Sequence, residues 1–218
     1  AVGHLEEHGP RRKVDPKENP DAEEEGEEVE IQTEFDFEVA RVATNILKNP
    51  SIAEQIARVR GDGCASWKPE TILQLAEEGV LGWDGGKLVF IYQRGLSARP
   101  WPGGKEFIRK FWKPEGPWRY ARLAVAHTVT LTEGETDAIS LIDAGYEEEP
   151  GVVVIACPGA NSFKPKWAPL FAGKRVNIAF DNDKAGERGT DEVAMKLEPY
   201  ADEIYCMDWT LLAQEAGK

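Results

Sequence analysis

The chain has little with which to staple itself or to cross a membrane. Its three cysteines, Cys64, Cys157 and Cys206, lie far apart in 218 residues and form no CxxC pair. That spacing excludes a disulfide framework and a zinc knuckle, and it points to a reducing compartment. No apolar run approaches the roughly 20 residues of a membrane-spanning helix, and no signal peptide is recognisable. Histidine is equally scarce. His4 and His8 stand at i, i+4 without a partner motif, and His127 falls in an apolar stretch that reads as part of a core strand. Ala1 stands first rather than Met, so the expectation is of a piece of a longer protein.

Positive charge is also in short supply, with a formal net charge of −13. The deficit is local. From Asp15 to Glu38, twelve Asp or Glu stand against one Lys, a net of −11, which leaves only −2 for the rest of the chain. Residues 1–34 therefore read as the end of a short amphipathic helix (AVGHLEEHG) followed by a Pro-punctuated, acidic, disordered linker, with order expected from about Phe35. The low pI describes that segment and does not exclude a nucleic-acid partner. Between Arg94 and Arg122 the balance reverses to eight Lys or Arg and two Glu, interleaved with Trp101, Phe107, Phe111, Trp112, Trp118 and Tyr120. Cations that neutralise phosphates beside rings that stack on bases suit single-stranded nucleic acid. An antiparallel sheet with a basic solvent face would give the same pattern.

Hydrophobic periodicity divides the remainder in two. Residues 35–120 read as a smaller α+β unit: helical spacing on both sides of Asn49-Pro50, a helix that opens near Pro69 and closes near Gly79, and an alternating strand in GGKLVFIYQRG. Residues 121–218 alternate strand and helix. AVAHTVTL, VVVIACPG, RVNIAF and EIYCMDW are the apolar runs, separated by ETDAISLIDAG, FKPKWAPLFAG and AGERGTDEVAMKLEPY. That rhythm predicts an α/β fold with a parallel sheet flanked by helices. In such sheets reactive groups collect at the carboxyl ends of the strands.

Two acidic clusters fall at such ends. EGETD (133–137) follows the first strand and DNDKAG (181–186) follows the third. Asp181 and Asp183, one residue apart, project to one side in extended geometry, and Asp137 lies one helical turn beyond Glu133. Carboxylates gathered at one sheet edge repel unless a cation sits among them, and hard oxygen donors suit Mg²⁺ or Mn²⁺. Gly134 and Gly186 would let backbone approach a phosphate or a metal closely. Acids at a helix start also complement the helix dipole without any ligand. Asn161, in the CPGANS loop after the second strand, is a candidate for the same cleft, although it also fits a simple turn.

EGETDAISL followed about forty residues later by DNDKAG resembles the Toprim domain of topoisomerases, primases and some nucleases. The likeness covers about residues 121–212. It implies Glu133 as the acid/base glutamate, Asp181 and Asp183 as metal ligands beside it, Asp137 as an accessory acid, and one or two Mg²⁺ or Mn²⁺ ions. SWKPETILQLAEEGVLGWDGGKLVFIYQRG and the Ala185-Gly186 ending resemble the primase branch, phage- or plasmid-type, and AVGHLEEHG resembles the last helix of a primase zinc module. No zinc is expected within this chain itself. The resemblance implies a cytoplasmic primase core that makes short RNA primers from NTPs on single-stranded DNA, working with a fused or separate replicative helicase. The template would lie over Arg109, Lys110, Lys113 and Arg119, with Lys184 and Arg188 near phosphates. A nuclease using the same acids, or a non-catalytic Toprim binding module, is the alternative. KFWKPEGPWRY stands where the primase pattern has a basic K-Y-x-N stretch. A further acid after the fourth strand would be Asp208 or lie past Lys218.

Overall fold

The computed structural model describes residues 29–58, 66–102, 108–110 and 114–207, with side chains from 38 onward except at 108–110. Helix α1 (Val29–Leu47) begins within the stretch assigned to the linker, six residues before the expected start of order. Glutamates near a helix N-terminus complement its dipole and are good helix formers, so acidity there does not by itself oppose a helix. The AVGHLEEHG helix, His4, His8, Cys64, Lys113 and Asp208 lie outside the described residues.

Helix α2 (Pro50–Arg58) starts where Asn49 Oδ1 accepts from the Ser51 N–H at 3.0 Å, with Pro50 as its first residue. Helix α3 (Pro69–Glu77) also opens on proline. It closes through Gly79 at φ +75°, where Gly79 N–H donates to Ala76 O and Val80 N–H to Leu75 O. That left-handed turn is the reason for a glycine there.

Strands β1 (Leu81–Trp83), β2 (Lys87–Tyr92), β3 (Gly95–Pro100) and β4 (Ile108–Lys110) form an antiparallel sheet in that order. The period-two alternation of β2 is explicit. Leu88, Phe90 and Tyr92 enter one core with α2 and α3, while Val89 packs with Ala43 of α1 and Leu96 on the opposite face.

The second sheet is wholly parallel in the order β6-β5-β7-β8: β5 (Thr128–Thr132), β6 (Val152–Ala156), β7 (Arg175–Ala179) and β8 (Glu203–Cys206). Its helices are α4 (Glu135–Asp143) and α5 (Lys184–Leu197), with a 3₁₀ helix at Pro165–Phe171. One face of this sheet packs with α5 and the 3₁₀ helix. The other face, through Val154, Ala156 and the α4 residues Ala138, Ile139 and Ile142, shares a core with α2, α3 and β2. The α+β unit thus serves as the helix-side cover of the parallel sheet.

Three further features differ from the sequence reading. The expected strand AVAHTVTL (124–131) starts late: a 3₁₀ helix, Tyr120–Val125, takes its first two residues, and the strand begins only at Thr128. His127 is exposed, with Nε2 and Nδ1 each 3.0 Å from Pro150 O and Thr128 Oγ1, so it is not a core residue. It lies one residue before the strand, where alternation does not yet govern its direction.

Arg119 is the third. Its backbone is left-handed at φ +64°, and the residue is 3% exposed. The guanidinium bonds Glu147 (Nη1–Oε1 2.7 Å), Glu78 (Nη2–Oε2 2.9 Å) and the Val154 carbonyl (2.8 Å). Burial disfavours its charge, but Glu147 and Glu78 outweigh that and raise the pKa above its ordinary value. Arg119 therefore joins the two units from inside and does not face a template. Several neighbouring rings are structural as well. Trp118 is fully buried with its indole N–H on Val80 O, and Trp101 stacks on Trp67 with centroids 5.0 Å apart.

Candidate metal and nucleic-acid site

Strands β5 and β7 are direct neighbours in parallel register, Thr132 opposite Ala179, so the residues just beyond them emerge side by side. Glu133 is the first residue past β5, and Asp181 is the second past Ala179. The Asp181 N–H donates to Glu133 Oε2 at 3.3 Å, so the glutamate turns toward the Asp181-Asn182-Asp183 loop. Burial raises the Glu133 pKa. The Asp181 N–H opposes that rise, and the charges of Asp181, Asp183 and Asp137 add to it. The four acids therefore share one electrostatic neighbourhood.

Asp183 caps α5, its Oδ1 accepting from the Ala185 and Gly186 N–H groups at 2.8 Å each. Those bonds, Gly186 foremost, hold its carboxyl below the usual aspartate value. Asp137 folds back over the turn: a Cβ on Gly134 would meet Asp137 Oδ2 at 2.8 Å. Gly186 is constrained far more severely, since a Cβ there would lie 2.0 Å from Asp181 O and 2.8 Å from Asp181 C. Its role is to let the start of α5 nest under the loop that carries both aspartates. Gly186→Ala is expected to cost about 1–3 kcal/mol by forcing a backbone shift. Gly86→Ala, in open space with no positive φ, should stay within about 0.5 kcal/mol. Urea unfolding of the two variants checks the difference.

The loop after β6 closes the third side, with Gly159 N–H donating to Glu133 O at 3.0 Å. Asn161 is exposed on that loop, and Lys184 and Arg188 are exposed on the first turns of α5. Arg109 and Lys110 lie on β4, with side chains outside the described set, as is all of Lys113.

The sequence reading passed over Glu135. It is 5% exposed and accepts from Tyr92 Oη at 2.6 Å. Arg99 Nη1 likewise reaches Thr136 Oγ1 at 3.3 Å. The usable signal was parity: Tyr92 falls in the buried row with Leu88 and Phe90, and a buried phenol requires a partner.

Residues 130–214 match a family model described as Toprim-like. The chain carries a Toprim domain. Gene 57 protein of Mycobacterium phage D29 is 38% identical over 80 residues, covering 36% of this chain and 45% of that protein. The chain thus spans less than half the length of the phage relative it matches. The all-parallel four-stranded sheet flanked by helices is the Toprim architecture, here preceded by an antiparallel sheet. Toprim domains occur in enzymes acting on nucleic acids and typically bind Mg²⁺ through acidic residues. Among the described residues no three Asp, Glu, His or Cys side chains already surround a common metal position. The donor set still fits in kind: all oxygen, mutually repelling, and with Asp181 and Asp183 exposed at the rim. Among the described residues no helix is long and apolar enough to cross a membrane.

Proposed function

We propose that this chain is the catalytic core of a DNA primase, a Mg²⁺- or Mn²⁺-dependent nucleotidyltransferase that makes short RNA primers from NTPs on single-stranded DNA. The observation that carries the reading is Glu133, at the end of β5, turned onto the Asp181 loop at the end of the adjacent strand β7. The antiparallel unit packed on the same helix as the acidic turn supports the primase branch. Glu133, Asp181 and Asp183 would hold the metal, with Asp137 accessory. A bound dication would supply charge neutralisation at the reacting phosphate and its leaving group.

The remaining work falls to the protein's own groups. Glu133 would accept the proton of the attacking hydroxyl at a carboxylate oxygen. Asp183 would fix the loop through its cap. Lys184 and Arg188, exposed at the start of α5, would meet phosphates, and Arg109, Lys110 and Lys113 would meet the template backbone. The protein would act in the bacterial cytoplasm with a replicative helicase, fused or separate.

Incubation with single-stranded DNA, NTPs and Mn²⁺ tests the proposal. New short RNA is expected; shortened DNA would instead identify a nuclease using the same acids, and binding without either product a recognition module. Changing Lys110 and Lys113 together to Ala is expected to weaken template binding and to lower the slope of log affinity against log salt by about 1 to 2. A fluorescence-anisotropy titration at several salt concentrations measures it, and an unchanged slope would remove both lysines from the interface.

A further inference from the structure

Helix α4 carries the acidic turn, and it is also the helix to which the antiparallel half is tied by hydrogen bonds. Tyr92 Oη donates to Glu135 Oε1, Arg99 Nη1 to Thr136 Oγ1, and Trp67 Nε1 to Ser140 Oγ. The Lys68 N–H and Thr71 Oγ1 both donate to Asp143 Oδ1 at 2.7 Å. Thr136, Ser140 and Asp143 form an i, i+4, i+7 stripe, one continuous side of the helix. Two of these ties fall inside the acidic turn. Glu135 and Thr136 are the two residues between Gly134 and Asp137, so the groups that are gripped lie between those that carry chemistry.

The parallel sheet holds the other end of the same turn. Thr132 Oγ1 donates to Gly134 O at 2.9 Å, Gly159 N–H to Glu133 O, and Asp181 N–H to the Glu133 carboxylate. The turn is therefore fixed from two sides by two different units. Tyr92 and Glu135 are each 5% exposed, so their contact is shielded from competing water. A displacement of about 1 Å in a catalytic or ligating group is enough to lose most of its effect.

We infer that Tyr92 and Arg99 of the antiparallel sheet are positioning residues that set the Glu133–Asp137 turn for metal binding through their hydrogen bonds to Glu135 and Thr136. The inference rests on the metal-site reading given above. It makes the antiparallel unit a part of the acidic site as well as a platform for the template, since its sheet holds the geometry in which Glu133 and Asp137 meet the aspartate loop.

Mn²⁺ titration of the full chain, followed by the electron paramagnetic resonance of free Mn²⁺, tests this without reference to turnover. The variants are Tyr92→Phe, Arg99→Met and Glu135→Gln, with melting temperatures recorded alongside. Tyr92→Phe keeps the ring and its packing, and is expected to weaken Mn²⁺ binding about tenfold in protein that remains folded. Arg99→Met removes a positive charge near a cation site, which by charge alone would tighten binding; weaker binding is the signature of positioning. Glu135→Gln keeps an oxygen that accepts from Tyr92 Oη and is expected to bind more tightly than Tyr92→Phe.

Equal Mn²⁺ affinity in wild type and Tyr92→Phe would overturn the inference while leaving the metal site standing, and tighter binding by Arg99→Met would overturn the part assigned to Arg99. Glu135→Gln weaker than Tyr92→Phe would show that Glu135 acts by its charge, which also overturns the inference. A wild-type chain that binds no Mn²⁺ would overturn the metal-site reading itself, and this inference with it.

Discussion

Glu133→Gln is expected to lower primer synthesis by a factor of about 10² to 10⁴, the usual range for removing a general base, with the melting temperature and DNA affinity retained. Gln is isosteric, and its amide oxygen still accepts from the Asp181 N–H, so the turn has no reason to move. What is lost is proton affinity. Without a bound cation, burial and three neighbouring carboxylates raise the Glu133 pKa against the opposing Asp181 N–H. Gln cannot take a proton and is also a weaker donor to a metal. Primer yield on single-stranded DNA, measured beside thermal unfolding, separates the two properties. Undiminished yield would remove Glu133 from the chemistry, and a fall in melting temperature matching the fall in yield would make its role structural.

The largest effect on stability is expected at Arg119. Its side chain has no exposed surface and bridges Glu78 and Glu147, which are themselves 22% and 8% exposed. Arg119→Met leaves two carboxylates facing each other in a half-buried site and deprives Val154 O of its donor. Removing one partner of a buried ion cluster costs about 3–5 kcal/mol, because the stranded charge keeps its desolvation cost. Lysine cannot reproduce the fork to both carboxylates and the carbonyl, so Arg119→Lys should recover only part of the loss. Urea denaturation gives the size of the effect. If the midpoint hardly moved while DNA affinity fell in the folded protein, Arg119 would belong to the template surface after all.

The sequence made the parallel half legible because its signals are local and redundant. Val153 and Ile155 serve one core while Val154 and Ala156 serve the other, so a strand buried on both faces appears as an unbroken apolar run. The α/β rhythm then places EGETD and DNDKAG on one edge before any coordinate is known. What local patterning could not show is partnership across units. Arg119 lies in a basic, aromatic stretch, and nothing nearby in sequence reveals that Glu78 and Glu147 wait for it 41 and 28 residues away. Glu135 was hidden for a similar reason, as one acid among three whose partner lies 43 residues upstream. The start of β5 was misplaced because Ala124, Val125 and Ala126 extend the apolar run in sequence, although they belong to a 3₁₀ helix and its cap.

The central claim is that Glu133, Asp181 and Asp183 close around a divalent cation at the shared edge of β5 and β7. Anomalous scattering from a crystal of this chain soaked in Mn²⁺ tests it most directly. One or two Mn²⁺ peaks bounded by the carboxylate oxygens of those three residues, absent from a crystal of the Asp181→Ala/Asp183→Ala variant, are the expected result. A soaked crystal with no peak at that edge, or with Mn²⁺ bound only to acids elsewhere on the surface, would contradict it.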